Sequence, residues 1–115
     1  MSPARFCYVE IPATEVEDSA RFYTKVFGWE TRTRGDGALA FDDGASISGT
    51  WKTDRAPMTD PGIVLYVMVD DAEQALARVV EAGGKVVLPL GSLETPGAAT
   101  FADPVGNVLG VYQEE

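Results

Sequence analysis

Residues 6–29 begin Phe6-Cys7-Tyr8-Val9-Glu10-Ile11-Pro12 and close Ala20-Arg21-Phe22-Tyr23-Thr24-Lys25-Val26-Phe27-Gly28-Trp29. The opening run is aromatic and β-branched and is halted by proline, so it predicts a strand over 6–11. Thr14-Glu15-Val16-Glu17 follows, a hydroxyl with an acid three residues on, which is the pattern of a capping box. Ala20, Phe22, Tyr23, Val26 and Phe27 then recur at helical spacing. Gly28 ends the helix because it accepts a left-handed backbone without steric penalty.

Reading onward, 29–33 and 38–41 are strand-like and are separated by a Gly35-Asp36-Gly37 turn. Asp42-Asp43-Gly44 turns again into a strand over 46–51. Residues 52–62 lose periodicity and carry Pro57 and Pro61, so they read as a connector. The order then starts over. Residues 63–69 predict a strand, and Asp70-Asp71 opens a helix carrying Ala72, Ala75, Leu76, Val79 and Val80. Gly83-Gly84 ends that helix. Strands follow over 85–88, 98–101 and 108–112, with an Asp103-Pro104-Val105-Gly106-Asn107 turn between the last two. Residues 85–98 leave room for one more hairpin element. Each half is a strand, a helix and further strands over about 50 residues, an internal repeat of element order. The expected organisation is one domain over 1–115: module one at about 4–52, a connector at 53–62 and module two at about 63–113.

A βαβββ unit covers one sheet face with its helix and leaves the other open. Two units together make an α+β fold with a cupped mixed sheet and helices on the outer face. Side chains alternate along a strand, so parity decides which of them line the cup. Val9 and Ile11 suit the helix side, leaving Phe6, Tyr8 and Glu10 on the cup. Leu65, Val67 and Val69 suit the helix side, leaving Val64, Tyr66 and Met68. In the last strand Leu109 and Val111 face the helix, leaving Val108, Gly110 and Tyr112. Cys7 shares parity with Val9, which predicts a buried, inert thiol.

The chain has 115 residues, 45% of them apolar, which supports a packed core. It holds no histidine and one cysteine, so an internal disulfide and a Cys/His zinc site are both excluded by counting. The single cysteine fits a reducing, cytoplasmic setting. No apolar run approaches the roughly 20 residues that span a bilayer, and the first residues lack the pattern of a signal peptide. The net charge of −9 disfavours nucleic acid and anionic membrane as partners; it either draws in a cationic small-molecule ligand or simply keeps an acidic surface soluble.

The phrases Tyr8-Val9-Glu10-Ile11-Pro12, Ala20-Arg21-Phe22-Tyr23 and Val26-Phe27-Gly28-Trp29 resemble the first module of the vicinal oxygen chelate superfamily. That superfamily holds glyoxalase I, extradiol dioxygenases, fosfomycin resistance proteins and bleomycin resistance proteins. Val67-Met68-Val69-Asp70-Asp71, Ala82-Gly83-Gly84-Lys85-Val86 and Phe101-Ala102-Asp103-Pro104-Val105-Gly106-Asn107 resemble the second module. The resemblance covers nearly the whole chain. In metal-dependent relatives it implies ligands at the positions of Tyr8, Val64 and Gly110. A fourth, on the strand near 48–51, is not fixed by the alignment. Val64 and Gly110 offer no donor, and a phenol near pKa 10 is a poor ligand at neutral pH. The expectation is no metal, no cofactor and no identifiable catalytic residue.

Tyr8, Glu10, Trp51, Val64, Tyr66, Met68, Gly110 and Tyr112 are the candidate ligand-binding residues. Glu10 is either a general base in a dry cup or a paired, solvated carboxylate. The aromatics are either a floor for a flat or cationic ligand or ordinary packing. Trp29 reads as core or interface, and Asp103 and Asn107 as builders of their turn. Three functions compete: a metal-free binding module of the bleomycin resistance type, a metal-dependent lyase, isomerase or dioxygenase of the glyoxalase type, and an interaction role. A homodimer is expected, because relatives of this size pair and the cup has apolar edges to cover.

Overall fold

The structure is a computed structural model, and it describes residues 2–114. The chain runs β1 (Tyr8–Pro12), α1 (Val16–Phe27), β2 (Glu30–Thr33), β3 (Leu39–Asp42), β4 (Ser48–Lys52), β5 (Tyr66–Met68), α2 (Ala72–Glu81), β6 (Lys85–Leu88), β7 (Ala98–Ala102) and β8 (Val108–Tyr112). The α+β, twice-repeated βαβββ architecture is the one the sequence predicts. Each repeat builds its own four-stranded mixed sheet, in the order β1-β4-β3-β2 and β5-β8-β7-β6. In both, the first strand pairs parallel with the last, and the other pairings are antiparallel. β1 and β5 are therefore edge strands.

The registers make the repeat exact enough to map residue by residue. Glu10 lies opposite Thr50, which lies opposite Ala40. Tyr66 lies opposite Gly110, which lies opposite Thr100. The turns before β4 and β8 are also built alike. One carboxylate oxygen of Asp43 accepts from the backbone N–H groups of Ala45, Ser46 and Ile47. One oxygen of Asp103 accepts from those of Val105, Gly106 and Asn107.

Each helix is amphipathic, and the apolar stripe of each is buried. In α1 the buried residues are Ser19, Ala20, Phe22, Tyr23 and Val26, and in α2 they are Ala72, Ala75, Leu76 and Val79. The two stripes join one core with Ile11, Phe41, Trp51, Phe101, Leu109 and Val111. Trp29 is sandwiched there, its ring stacked 5.1 Å from Tyr23 and 4.7 Å from Phe41. Gly28 ends α1 at φ 72°, with its N–H bonded to the Thr24 carbonyl at 2.8 Å.

Several local expectations fail. No capping box forms: Glu15 is the N-cap of α1, and no side chain caps it. Asp71 does cap α2, accepting from the Gln74 N–H at 3.0 Å. The strand expected over 63–69 shrinks to Tyr66–Met68, its start lying in exposed chain, with Ile63 77% exposed. Residues 89–97, where the sequence leaves room for a further element without requiring one, form turns and bends. Cys7 is exposed, not buried, because it precedes β1 and its alternation does not extend that far.

A buried polar node ties the modules together. Asn107 donates to the Pro12 carbonyl at 2.7 Å and to Asp103 at 2.9 Å, and its own amide oxygen accepts from the Met58 N–H at 2.7 Å. The Tyr23 hydroxyl donates to the other oxygen of Asp103 at 2.7 Å. Burial, and then the neighbouring Asp103 charge, hold the Tyr23 phenol well above its ordinary pKa. The turn-building role expected of Asp103 and Asn107 thus extends to joining α1, β1 and the connector to module two.

Candidate functional site

The open faces of the two sheets differ in kind. On the first, β1 presents Tyr8 and Glu10, and the pairing places Ser48, Thr50, Ala40, Asp42 and Arg32 on the same side. Most charges there are paired, Glu30 beside Asp42 excepted. Arg55 donates to Glu10 at 3.0 Å and to Asp54 at 2.8 Å. Arg32 donates to Asp42 at 3.0 Å, and Arg34 donates to the Tyr8 hydroxyl at 3.1 Å. Ser48 also donates to Asp42. These two bonds, Ser48 foremost and then Arg32, hold the Asp42 carboxyl below the usual range. Thr50 is buried, and its hydroxyl donates to the Leu39 carbonyl at 2.6 Å.

The second open face is aromatic and apolar. Tyr66, Met68 and Tyr112, with Ala98 and Thr95, line a hollow of about 330 Å³. Tyr66 is 47% and Met68 60% exposed, high values for side chains of this size. The Tyr66 ring lies across Gly110. A Cβ built at position 110 would come within 2.4 Å of two Tyr66 ring carbons.

A broader cleft of about 1400 Å³ runs between the β1 and β5 edges, and Phe6, Tyr8, Ile63, Val64 and Leu65 are among its walls. Phe6 is 90% exposed there.

The predicted site residues fall into two overlapping groups. Tyr66, Met68, Gly110 and Tyr112 come together on the second sheet, and Tyr8 and Glu10 lie together on the first. Tyr8, Val64, Tyr66 and Met68 are all among the walls of the broad cleft. Trp51 is a correction: it shares parity with Ile11 and is buried in the core, 4.9 Å from the Phe41 ring, where no ligand on the open face reaches it. Glu10 is a half-exposed carboxylate already paired with Arg55, so the reading as a general base in a dry cup gives way to the paired one. Thr95 was missed. It stands in a loop whose sequence gives no periodic signal, and only the fold brings it to the hollow. Among the described residues no three His, Cys, Asp or Glu side chains group to hold a metal ion. No helix among them is long and apolar enough to cross a membrane.

Residues 5–111 match the model of the glyoxalase/bleomycin resistance protein/dioxygenase superfamily. The chain belongs to that superfamily. A glyoxylase-like domain-containing protein of Didymella fabae is 31% identical over 90% of this chain and 88% of its own length. The anthracycline biosynthesis protein DnrV of Streptomyces peucetius is 29% identical over 98% of this chain. The chain spans about half the length of the longer curated relatives it matches, 48% of DnrV and 44% of CFP32 from Mycobacterium tuberculosis. Among solved structures, TnmS3, an antibiotic binding protein from Streptomyces sp. CB03234, is similar with a TM-score of 0.69 and 28% identity, covering 100% of this chain and 99% of that one.

Proposed function

We propose that this superfamily member binds a small organic molecule on its open sheet faces without a divalent metal, as a binding module rather than an enzyme. The observation that carries the reading is the second face, where Tyr66 and Met68 stand exposed and Tyr112 half-buried around a hollow instead of being covered. Large apolar side chains held open to water in a concavity are the usual mark of a ligand surface. The likeness to an antibiotic binding protein supports the same reading, and the net charge of −9 favours ligands that carry a positive group.

The donor set argues against a metal. The repeat maps Thr50 onto Gly110, so the fourth position left open by the sequence falls on Thr50. A phenol, a hydroxyl, an isopropyl group and a hydrogen at positions 8, 50, 64 and 110 do not fit a divalent ion. No cofactor enters this reading. The rival reading, a metal-dependent lyase, isomerase or dioxygenase of the glyoxalase type, rests on family membership.

We further propose a cytoplasmic homodimer in which a second copy covers the β1 and β5 edges. Phe6, Ile63 and Leu65 are exposed there beside unpaired strand backbone, which a folded monomer would ordinarily protect.

The test is a thermal-shift and calorimetric titration with doxorubicin, metal-free bleomycin and spermine, alongside elemental analysis of protein purified without chelator. Binding of at least one organic probe with no stoichiometric metal is the expected result. One tightly held Zn, Ni, Mn or Fe per chain would turn the reading to the enzyme. A purely monomeric species at all concentrations in analytical ultracentrifugation would remove the dimer.

A further inference from the structure

The Tyr66 ring takes the space that any side chain at position 110 would need. The two residues are register partners on β5 and β8, and the ring carbons approach the site of a Cβ to 2.4 Å, with the first ring carbon at 3.0 Å. The base of the ring, not only its far end, is therefore against the strand. The backbone at Gly110 does not adopt the left-handed region, so its conformation does not demand glycine. The glycine is needed for the ring. In module one the same pair of positions holds Glu10 and Thr50, neither of them aromatic.

The surroundings are mostly apolar or small. Tyr112 stands on the same strand as Gly110 with equal parity, Met68 lies opposite Tyr112, and Ala98 on β7 is small. Thr95 adds one hydroxyl at the rim. A ring laid along a sheet over glycine, with alanine and a polarisable thioether beside it, presents a π-face rather than an edge or a charge.

From this we infer that the second open face is a stacking platform, in which Gly110 exists to seat the Tyr66 ring, and that the ligand is a planar, conjugated ring system. The inference rests on the binding reading above and narrows it from an organic molecule to a flat one. It also makes ring geometry, rather than ligand charge, the main determinant of affinity on this face. A planar anion and a planar cation both bind, and a flexible cation without rings does not bind there.

Titration calorimetry separates these claims. The probes are doxorubicin (planar, cationic), an anthraquinone sulfonate (planar, anionic) and spermine (cationic, without rings). The proteins are the wild type, Tyr66→Leu, Gly110→Ala and the double variant. Tyr66→Leu keeps apolar bulk but removes the flat ring. Gly110→Ala keeps the ring but pushes it off the sheet. Each is expected to weaken both planar probes by roughly tenfold. The double variant should be no weaker than either single one, because both act on the same seated ring. Circular dichroism and thermal midpoints check that each variant is folded. Additive losses in the double variant, or planar binding unchanged by Tyr66→Leu, would overturn the platform while leaving the binding module intact. Spermine binding that is tighter than that of either planar probe and is weakened by Tyr66→Leu would also overturn it. Failure of the wild type to bind any probe would instead strike the proposed function, and the platform with it.

Discussion

Module one and module two share element order, the register of their first strand and their last two and even the hydrogen bonding of an Asp-led turn, yet their open faces are opposites. The first is a lattice of paired charges, with Glu10, Arg55, Arg32 and Asp42 at its centre. The second bears Tyr66, Tyr112 and Met68 around a hollow. The repeat thus fixes where side chains point and leaves their chemistry free. The helix-facing positions stay apolar in both halves because they share one core. The open-face positions carry no such constraint, and that is where a function can differ between two copies of one frame.

The turns supply the largest expected difference. Asp43 and Asp103 each collect three backbone N–H groups, but only Asp103 is buried and also receives Tyr23 and Asn107. Asp103→Ala leaves several donors without partners in a dry site and is expected to lower stability by about 3–5 kcal/mol. Asp43→Ala leaves its donors near water and is expected to lower it by about 1 kcal/mol. At roughly 4–8 °C per kcal/mol for a domain near this size, thermal unfolding separates the two. Asp103→Asn, milder in shape, serves if the alanine variant does not fold. Equal losses at the two turns would mean that the node does not hold the modules together.

Tyr23 sharpens the same contrast from the other side. Tyr23→Phe removes one hydrogen bond to a buried carboxylate and is expected to cost about 1–2 kcal/mol at neutral pH. Its pH dependence is the more telling readout. The folded state holds the phenol pKa above the ordinary value of 10.0, by burial first and by the Asp103 charge next. The stability tied to the neutral phenol is therefore complete below about pH 10 and is lost as pH rises toward the folded-state value. Urea denaturation between pH 9 and pH 11 should show a steeper loss for wild type than for Tyr23→Phe. Parallel curves would place the alkaline sensitivity elsewhere.

Much of this was legible in the sequence, for a physical reason. Helical spacing from Ala20 to Phe27, glycine stops and the strands at 85–88 and 108–112 are local signals, and local signals survive without a fold. Parity also placed Ile11, Leu109 and Val111 on the helix side, where they are buried. The failures share a cause. Residue type groups Trp51 with the open-face aromatics, whereas its register partner Ile11 puts it on the helix side. Cys7 precedes a strand that starts one residue later, so that strand's alternation does not reach it. The Glu10–Arg55 pair spans 45 positions, and the Tyr66 ring over Gly110 spans 44, so no local pattern announces either. An apolar strand such as 63–69 announces its presence but not its length, which depends on how far its neighbour in the sheet stays in register with it.

The smallest expected effect concerns the polar face itself. Arg55 is exposed and shared between Glu10 and Asp54, so its ion pairs are screened by solvent and Arg55→Ala should leave the thermal midpoint nearly unchanged. The variant does remove the cation that covers Glu10. Spermine should then bind somewhat more tightly at low salt, with the gain vanishing by about 0.5 M salt, where the Debye length falls well below 10 Å. The planar anion should bind the aromatic face as before. A variant that lost planar binding on removal of Arg55 would show that the charged and aromatic faces act on one ligand together. The division drawn between the two modules would then have to be redrawn as a single mixed site.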